Sequence, residues 1–255
     1  MSLLQKMTGH QFKGGPKFDK AIIAVGSCEN HGFHLPFGTD TFVSSMLAEK
    51  VAEQVDGLLV LPPVNVGMSQ HYAHFPFSLT LQPETLIAVL KDILESTVKN
   101  GIEKIFIMNG HDGNIAPIEI AARAIKLAHP NVRIATLDAW WVTAGKLLPG
   151  DTFEVWNGLG HAGEGETSIG LALFPELIEM EYAKGVVPNL PEHVEIKWNF
   201  AELTNTGATG DPSKATVAKG QKMVAVLVKE VVRFFREMDD KDWKYSSKES
   251  ALPQK

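Results

Sequence analysis

The chain has 255 residues, 44% of them hydrophobic and 21% charged, with a formal net charge of −6. That length supports a sizeable core, and the acidic balance argues against a general nucleic-acid or anionic-membrane binder, which needs a basic face. One cysteine excludes an intrachain disulfide framework and suits a reducing compartment.

Met1 to Lys13 is polar and lacks the apolar centre of a signal peptide, and no apolar run approaches the ~18 residues of a membrane span. The expectation is a soluble, cytoplasmic protein. Ala21 to Val25 predicts a first buried strand, because neither face of the run is polar. From Thr41, the spacing of Val43, Met46, Leu47 and Val51 predicts a helix. Leu58 to Leu61 predicts a second buried strand. After Pro83, Leu86, Val89, Leu90, Ile93, Leu94 and Val98 mark a helix that Gly101 ends. Ile105 to Met108 and Val132 to Leu137 predict two more buried strands, with a helix-compatible stretch from Ile115 to Ala128 between them. Thr167 to Phe174 is helical in pattern until Pro175 interrupts it. Residues 183–212 read as an irregular excursion rich in Pro, Gly and Asn. Val224, Leu227, Val228, Val231 and Phe235 stripe a long helix starting near Ser213, and the polar tail from Asp239 is expected to fray.

Strand–helix alternation of this kind predicts an α/β fold with a largely parallel sheet covered on both faces. Residues 1–255 are expected to form a single domain. Such sheets place their sites at the carboxyl ends of the strands.

Three loops concentrate chemistry there. The first, Gly26-Ser27-Cys28-Glu29-Asn30-His31-Gly32-Phe33-His34-Leu35-Pro36-Phe37-Gly38-Thr39-Asp40, follows the first strand. Glu29 and His31 are two apart, so in an extended segment they leave one face, ~6–7 Å apart. That spacing lets each hold one ion of a pair whose metals are ~3.5–4 Å apart. Asp40 is either a helix cap or, with its two oxygens, a bridge between two cations. His34 reads as a metal ligand or a structural residue. Cys28 lies among these groups without a clear base partner and reads as a small buried residue rather than a nucleophile. The second loop, Asn109-Gly110-His111-Asp112-Gly113-Asn114, follows the third strand; its glycines permit turn conformations that bulky residues resist. Neutral imidazole makes His111 a candidate ligand, while Asp112 stays open between metal, substrate and capping roles. The third loop, His161-Ala162-Gly163-Glu164-Gly165-Glu166-Thr167-Ser168, carries a histidine and two glutamates into a helix. Each loop alone reads equally as a capped turn; three with the same ingredients do not. Ser69 to Pro76 is an aromatic loop whose His71 and His74 are candidates for a pocket wall. Trp140 and Trp141 read as core packing or as a cover for a flat substrate.

In this order, the three loops resemble the motifs of the creatininase (creatinine amidohydrolase) family: G-S-x-E-x-H-G-x-H-L-P-x-x-T-D at Gly26 to Asp40, N-G-H-x-x-N at Asn109 to Asn114, and H-x-G-x-x-E-T-S at His161 to Ser168. The resemblance spans roughly residues 15–180. It implies a three-layer α/β/α fold, assembly as a homo-oligomer (often a hexamer), and two divalent metal ions, zinc, manganese or iron. By motif position, Glu29, Asp40 and His111 would hold one ion, and His31 with the bridging Asp40 the other. Creatininase proper supplies a further glutamate where this chain has Gly113; Glu166 is the candidate replacement and Glu164 the fallback. His161 matches a histidine that shuttles a proton, and Trp140 falls near a tryptophan lining the substrate pocket. Asp112 stands in place of a tyrosine, and Phe75-Pro76-Phe77-Ser78 in place of Phe-Pro-Gly-Thr, which point to a polar substrate other than creatinine.

The expected chemistry is attack of a metal-activated hydroxide on the carbonyl of a small cyclic amide, with a small-molecule substrate and neither nucleic acid nor membrane as partner. The alternatives are ring-opening C–C hydrolysis of an oxidised inositol, deformylation of a formamide, and a non-catalytic metal-binding protein.

Overall fold

The computed structural model describes residues 2–191, 193 and 196–244. Four parallel strands, β1 (Lys20–Val25), β2 (Leu58–Val60), β3 (Lys104–Asn109) and β4 (Arg133–Leu137), form a sheet in the order β2-β1-β3-β4. The helices are α1 (Gly9–Gly14), α2 (Thr39–Ala52), α3 (Pro83–Lys99), α4 (Ile115–Ala128), α5 (Trp140–Leu147), α6 (Glu164–Leu173) and α7 (Val217–Asp240). Among the described residues, no helix is long and apolar enough to cross a membrane.

Strand alternation sorts the core into two layers. Ile22, Phe106 and Met108 face Val43 and Leu47 of α2 and Leu227, Val231 and Phe235 of α7. Ala21, Ile23, Val25, Ile105 and Ile107 face Leu86, Leu90 and Leu94 of α3 and Ile118, Ala121 and Ile125 of α4. The result is the α/β/α sandwich that the loops' resemblance implied. Each fully buried Leu or Ile in these layers contributes about 1.5–3 kcal/mol.

The chain leaves β1 to one side of the sheet and β3 to the other. The two strands are neighbours, so the strand order switches between their carboxyl ends, where open α/β sheets form their crevices. The first two motif loops begin at those two ends.

Three sequence expectations need correcting. β4 is half-buried along its length, because it is an edge strand rather than a covered one. β2 is also an edge but is buried, since Val60 N donates to Ser2 O and Leu3 bridges to Val60. The last helix starts at Val217, capped by Thr216, whose side chain accepts from Lys219 N; Pro212–Lys214 forms a separate 3-10 turn. The tail does not fray at Asp239: α7 continues to Asp240, and Trp243, 3% exposed, donates its indole N–H to Asp239. Residues 245–255 of that tail lie outside the described residues.

Candidate metal centre

Three segments converge on the switch point. The β1 end delivers Glu29 and His31, α2 delivers Asp40 in its first turn, and the β3 end delivers His111. Asp40 makes no capping bond; the N-cap is Gly38, without a side-chain bond, and the carboxylate turns inward. Asn114 joins the loops, donating to Gly26 O at 3.0 Å and accepting from Met68 N at 3.0 Å. Asn109 braces the β3 end by donating to His111 O at 2.7 Å and Asp138 O at 2.8 Å. The loop glycines serve close approach rather than turn geometry, for neither Gly110 nor Gly113 has a positive φ. A Cβ on Gly110 would lie 2.3 Å from Asp40 O, and one on Gly113 2.1 Å from Met68 O and 2.6 Å from His111 Nε2. A glutamate at residue 113 therefore does not fit this backbone.

Asp40 faces two imidazoles with different oxygens. Its Oδ1 lies 2.9 Å from His31 Nε2, and its Oδ2 lies 3.2 Å from His111 Nδ1. Glu29 Oε1 is 3.1 Å from the same His111 nitrogen. Glu166, entering on α6, brings Oε2 to 3.9 Å from His31 Nε2 while accepting from Ala162 N. Backbone carbonyls set the tautomers. His31 Nδ1 faces Glu29 O at 3.1 Å and His111 Nε2 faces Met68 O at 3.2 Å. Since a carbonyl only accepts, those nitrogens carry protons, and in the neutral rings the lone pairs point at the carboxylates.

The charges hold one another. Burial opposes ionisation of Glu29 and Asp40, yet the imidazoles, His111 beside Glu29 and His31 beside Asp40, keep both carboxyls below their usual range. Burial likewise opposes imidazolium, but Asp40 foremost lifts His31 to about 9, and Glu29 and Asp40 raise His111 well above 6.5. Glu166 is pushed up to about 7, by burial against the pull of His31.

These residues fit a metal. Glu29 Oε1 and Asp40 Oδ2 are buried without a hydrogen-bond partner, a costly state unless a cation supplies one. Ligand atoms of Glu29, Asp40 and His111 lie within 4.8 Å of one another, as do those of Glu29, His31 and His161. Mixed imidazole and carboxylate donors suit zinc, manganese or iron.

His161 lies against His31 with ring centroids 4.2 Å apart and planes tilted by 40°, its Nε2 donating to Asn30 O at 2.7 Å. Burial and the neighbouring His31 lower it to about 3, so the ring is neutral. Glu164 is excluded from the centre. It is wholly buried elsewhere, accepting from Val155 N at 2.9 Å and pairing with Lys219 at 2.6 Å. His34 also lies outside the donor groups, meeting Thr167 Oγ1 at 2.9 Å. Burial first, then Glu29, pushes the Cys28 thiol up, away from nucleophilic duty.

A cavity of about 320 Å³ opens over the centre, lined among others by Asp40, His71, Asp112, Trp141, His161 and Glu166. Two expected pocket residues are not there. Trp140 is wholly buried in the core with Val231 and Phe235, and Trp141 takes the cavity position. His74 is exposed on the surface and absent from the lining, unlike His71, whose ring stacks on His111 at 5.5 Å. Tyr72 and Phe200, 4.4 Å apart, complete the wall. Tyr72 stood in a loop already suspected, whereas nothing local in the irregular segment 183–212 singles out Phe200.

The chain matches the family model "Creatininase: Creatinine amidohydrolase" over residues 5–235. It is 26% identical over 232 residues to the creatinine amidohydrolase of Pseudomonas putida, covering 85% of this chain and 88% of that protein. To the mycofactocin precursor peptide peptidase of Mycolicibacterium smegmatis it is 31% identical, over 81% of this chain and 80% of the relative. The 3-dehydro-scyllo-inosose hydrolase of Thermotoga maritima is 34% identical, over 77% of this chain and 65% of its own length. Among solved structures, a putative creatinine amidohydrolase of Bacteroides fragilis has a TM-score of 0.82 at 26% identity, covering 97% of this chain and 98% of that one. A manganese creatininase has a TM-score of 0.76 at 25% identity over 92% of this chain and 98% of its own. A mutant creatininase of Zn–Zn type has a TM-score of 0.77 at 25% identity, over 92% and 97%. Motif loops, fold and matches over nearly the whole chain agree: this chain belongs to the creatininase family of metal-dependent hydrolases.

Proposed function

We propose that the protein hydrolyses the C–N bond of a small cyclic amide at a centre of two divalent cations. Glu29, Asp40 and His111 would hold one, and His31, Asp40 and Glu166 the other. The observation that carries this reading is Asp40, whose two oxygens face His31 and His111 separately at 2.9 and 3.2 Å. Zinc or manganese is the favoured metal, the forms in which creatininases of this fold have been solved. Cations held there would supply water activation near neutral pH and polarisation of a carbonyl oxygen.

The chain's own groups do the rest. His161 donates Nε2–H to Asn30 O, so its lone pair is on Nδ1. A His31 that ligates a cation carries no proton on the ligating nitrogen, which removes the imidazolium charge that helps hold His161 at about 3 and lets Nδ1 take the proton of the attacking water. Attack forms the new C–O bond. The C–N bond then breaks, and His161 returns that proton to the departing nitrogen, ending neutral as it began. A cavity of about 320 Å³ admits a small molecule and excludes a folded partner. Tyr72, Trp141 and Phe200 offer apolar faces to a ring, and Asp112 accepts a hydrogen bond from a polar substituent.

A second reading, ring opening of an oxidised inositol, is favoured by Asp112 in the lining and by the identity with the inosose hydrolase. Self-association belongs to the same proposal, since Phe33 and Phe77 are 61% and 83% exposed; light scattering measures it.

The test is turnover of creatinine, other cyclic amides, a formamide and a keto-inositol by protein loaded with zinc or manganese. The expected result is amide turnover that is lost on chelation and in a folded His111→Ala variant. Full activity of a metal-free His111→Ala protein would overturn the metal mechanism, and turnover confined to the keto-inositol would replace the first reading with the second.

A further inference from the structure

The hydroxyls of Ser27 and Ser69, both wholly buried, lie within hydrogen-bonding distance of each other although 42 residues separate them. Ser27 Oγ is also 3.2 Å from Glu29 Oε2, and Ser69 Oγ is 3.3 Å from His111 Nε2. The polarity of this chain of bonds is forced. An ionised carboxylate only accepts, so Ser27 donates to Glu29. A hydroxyl has a single proton, so Ser27 must accept from Ser69. The Ser69 oxygen then has a lone pair left for His111 Nε2–H, a proton it shares with the Met68 carbonyl at 3.2 Å. Keeping that proton on Nε2 leaves the Nδ1 lone pair of the neutral ring facing Glu29 Oε1 and Asp40 Oδ2, at 3.1 and 3.2 Å.

We propose that Ser27 and Ser69 are positioning residues for the cation site, forming a one-way hydroxyl relay that ties two ligands of the same ion, His111 and Glu29, back to back. The inference rests on the metal-site reading above. A positive charge at Nδ1 makes Nε2–H a stronger donor, and each bond along the chain then strengthens the next. At its far end the relay turns Glu29 Oε2 away from the site and leaves Oε1, which has no hydrogen-bond partner, as the ligand atom. Losing an outer partner of this kind typically weakens metal binding about 10–100-fold.

Ser69 also has a structural bond, its N–H donating to Thr80 Oγ1 at 2.9 Å. Thr80→Ala removes that staple and spares the hydroxyl chain, so it separates positioning from loop packing.

The experiment is competition titration of the full chain, stripped of metal and reloaded with Zn²⁺ against a chromophoric chelator. Wild type should bind two ions. Ser69→Ala and Ser27→Ala should each weaken one ion about 10–100-fold and leave the other unchanged. The double variant should bind no more weakly than Ser27→Ala, because the groups act in series, and Thr80→Ala should match wild type. Wild-type affinity in both serine variants, additive losses in the double variant, or an equal loss in Thr80→Ala would each overturn the relay. Wild type that binds no ion would overturn the metal-site reading as well, whereas normal wild-type binding beside unaffected serine variants overturns the relay alone.

Discussion

Replacing Asp40 by asparagine keeps the shape of the side chain and removes the charge that faces two imidazoles. In the metal-free protein His31 stands at about 9 against an ordinary 6.5. Burial acts in the opposite direction, so the rise comes from carboxylates, chiefly Asp40 at 2.9 Å. A rise of that size corresponds to about 3 kcal/mol in favour of the imidazolium. Because the folded value lies above the unfolded one, this stability is fully present below pH 6.5 and is lost as pH rises through about 9. Asp40→Asn should therefore destabilise the chelator-stripped protein by up to about 3 kcal/mol more on the acid side of 6.5 than on the alkaline side of 9. Glu166 and Glu29 supply what Asp40 does not. Urea unfolding at the two pH values measures the difference, and NMR titration of the imidazoles should show His31 falling from about 9 toward 6.5. A variant whose His31 still titrates near 9, or whose penalty is the same at both pH values, would refute this account of the centre.

Glu166 and Glu164 should separate cleanly. Glu166→Gln should weaken one bound ion and cut turnover about 100-fold or more with little loss of stability. Glu164→Gln, which leaves one acceptor oxygen where two serve Glu154 N, Val155 N and Lys219 and removes the buried charge paired with Lys219, should cost about 1–3 kcal/mol in urea unfolding with metal affinity retained. Metal and protons compete for His31 and His111, so apparent metal affinity should fall as pH falls from about 9, and loading a weakly buffered sample should release protons. A pH-independent affinity would contradict that competition. Trp140→Ala, at a wholly buried position, should cost about 3–5 kcal/mol; Trp141→Ala should change KM with little effect on stability. The reverse pattern would show that the two rings are wrongly assigned.

The parts of the centre that the sequence reveals are those made by short-range geometry. Glu29, His31 and Asp40 share one loop, and His111 follows the next strand inward, so an apolar run ending in ligands is enough to find them. Where two neighbours compete, the sequence falls silent. Trp140 and Trp141 are adjacent on a helix and point about 100° apart, and only α7, 70 or more residues further on, decides which one is buried. Glu164 and Glu166 differ in the same way. The bond that removes Glu164 from the site comes from Lys219, 55 residues distant. Phe200 reaches Tyr72 across a far longer separation, from a segment with neither helical nor strand periodicity.

This division has a chemical meaning. The proposed metal ligands come from strand ends and helix starts at the β1/β3 switch point, where a displaced backbone would disrupt the sheet itself. Much of the cavity wall comes from His71 and Tyr72 in the 70s loop, Trp141 and Val142 in the first turn of α5, and Phe200 and Thr209, positions outside the sheet whose side chains can change without disturbing it. Relatives named for creatinine, a precursor peptide and an inosose are what such an arrangement permits, because under the proposed mechanism activation of water would depend on the rigid set and the choice of substrate on the wall. Asp112 is one residue that links them. It sits one residue from His111 yet lines the cavity, so a charge change there alters the substrate's surroundings while His111 stays anchored through Asn109 and Met68.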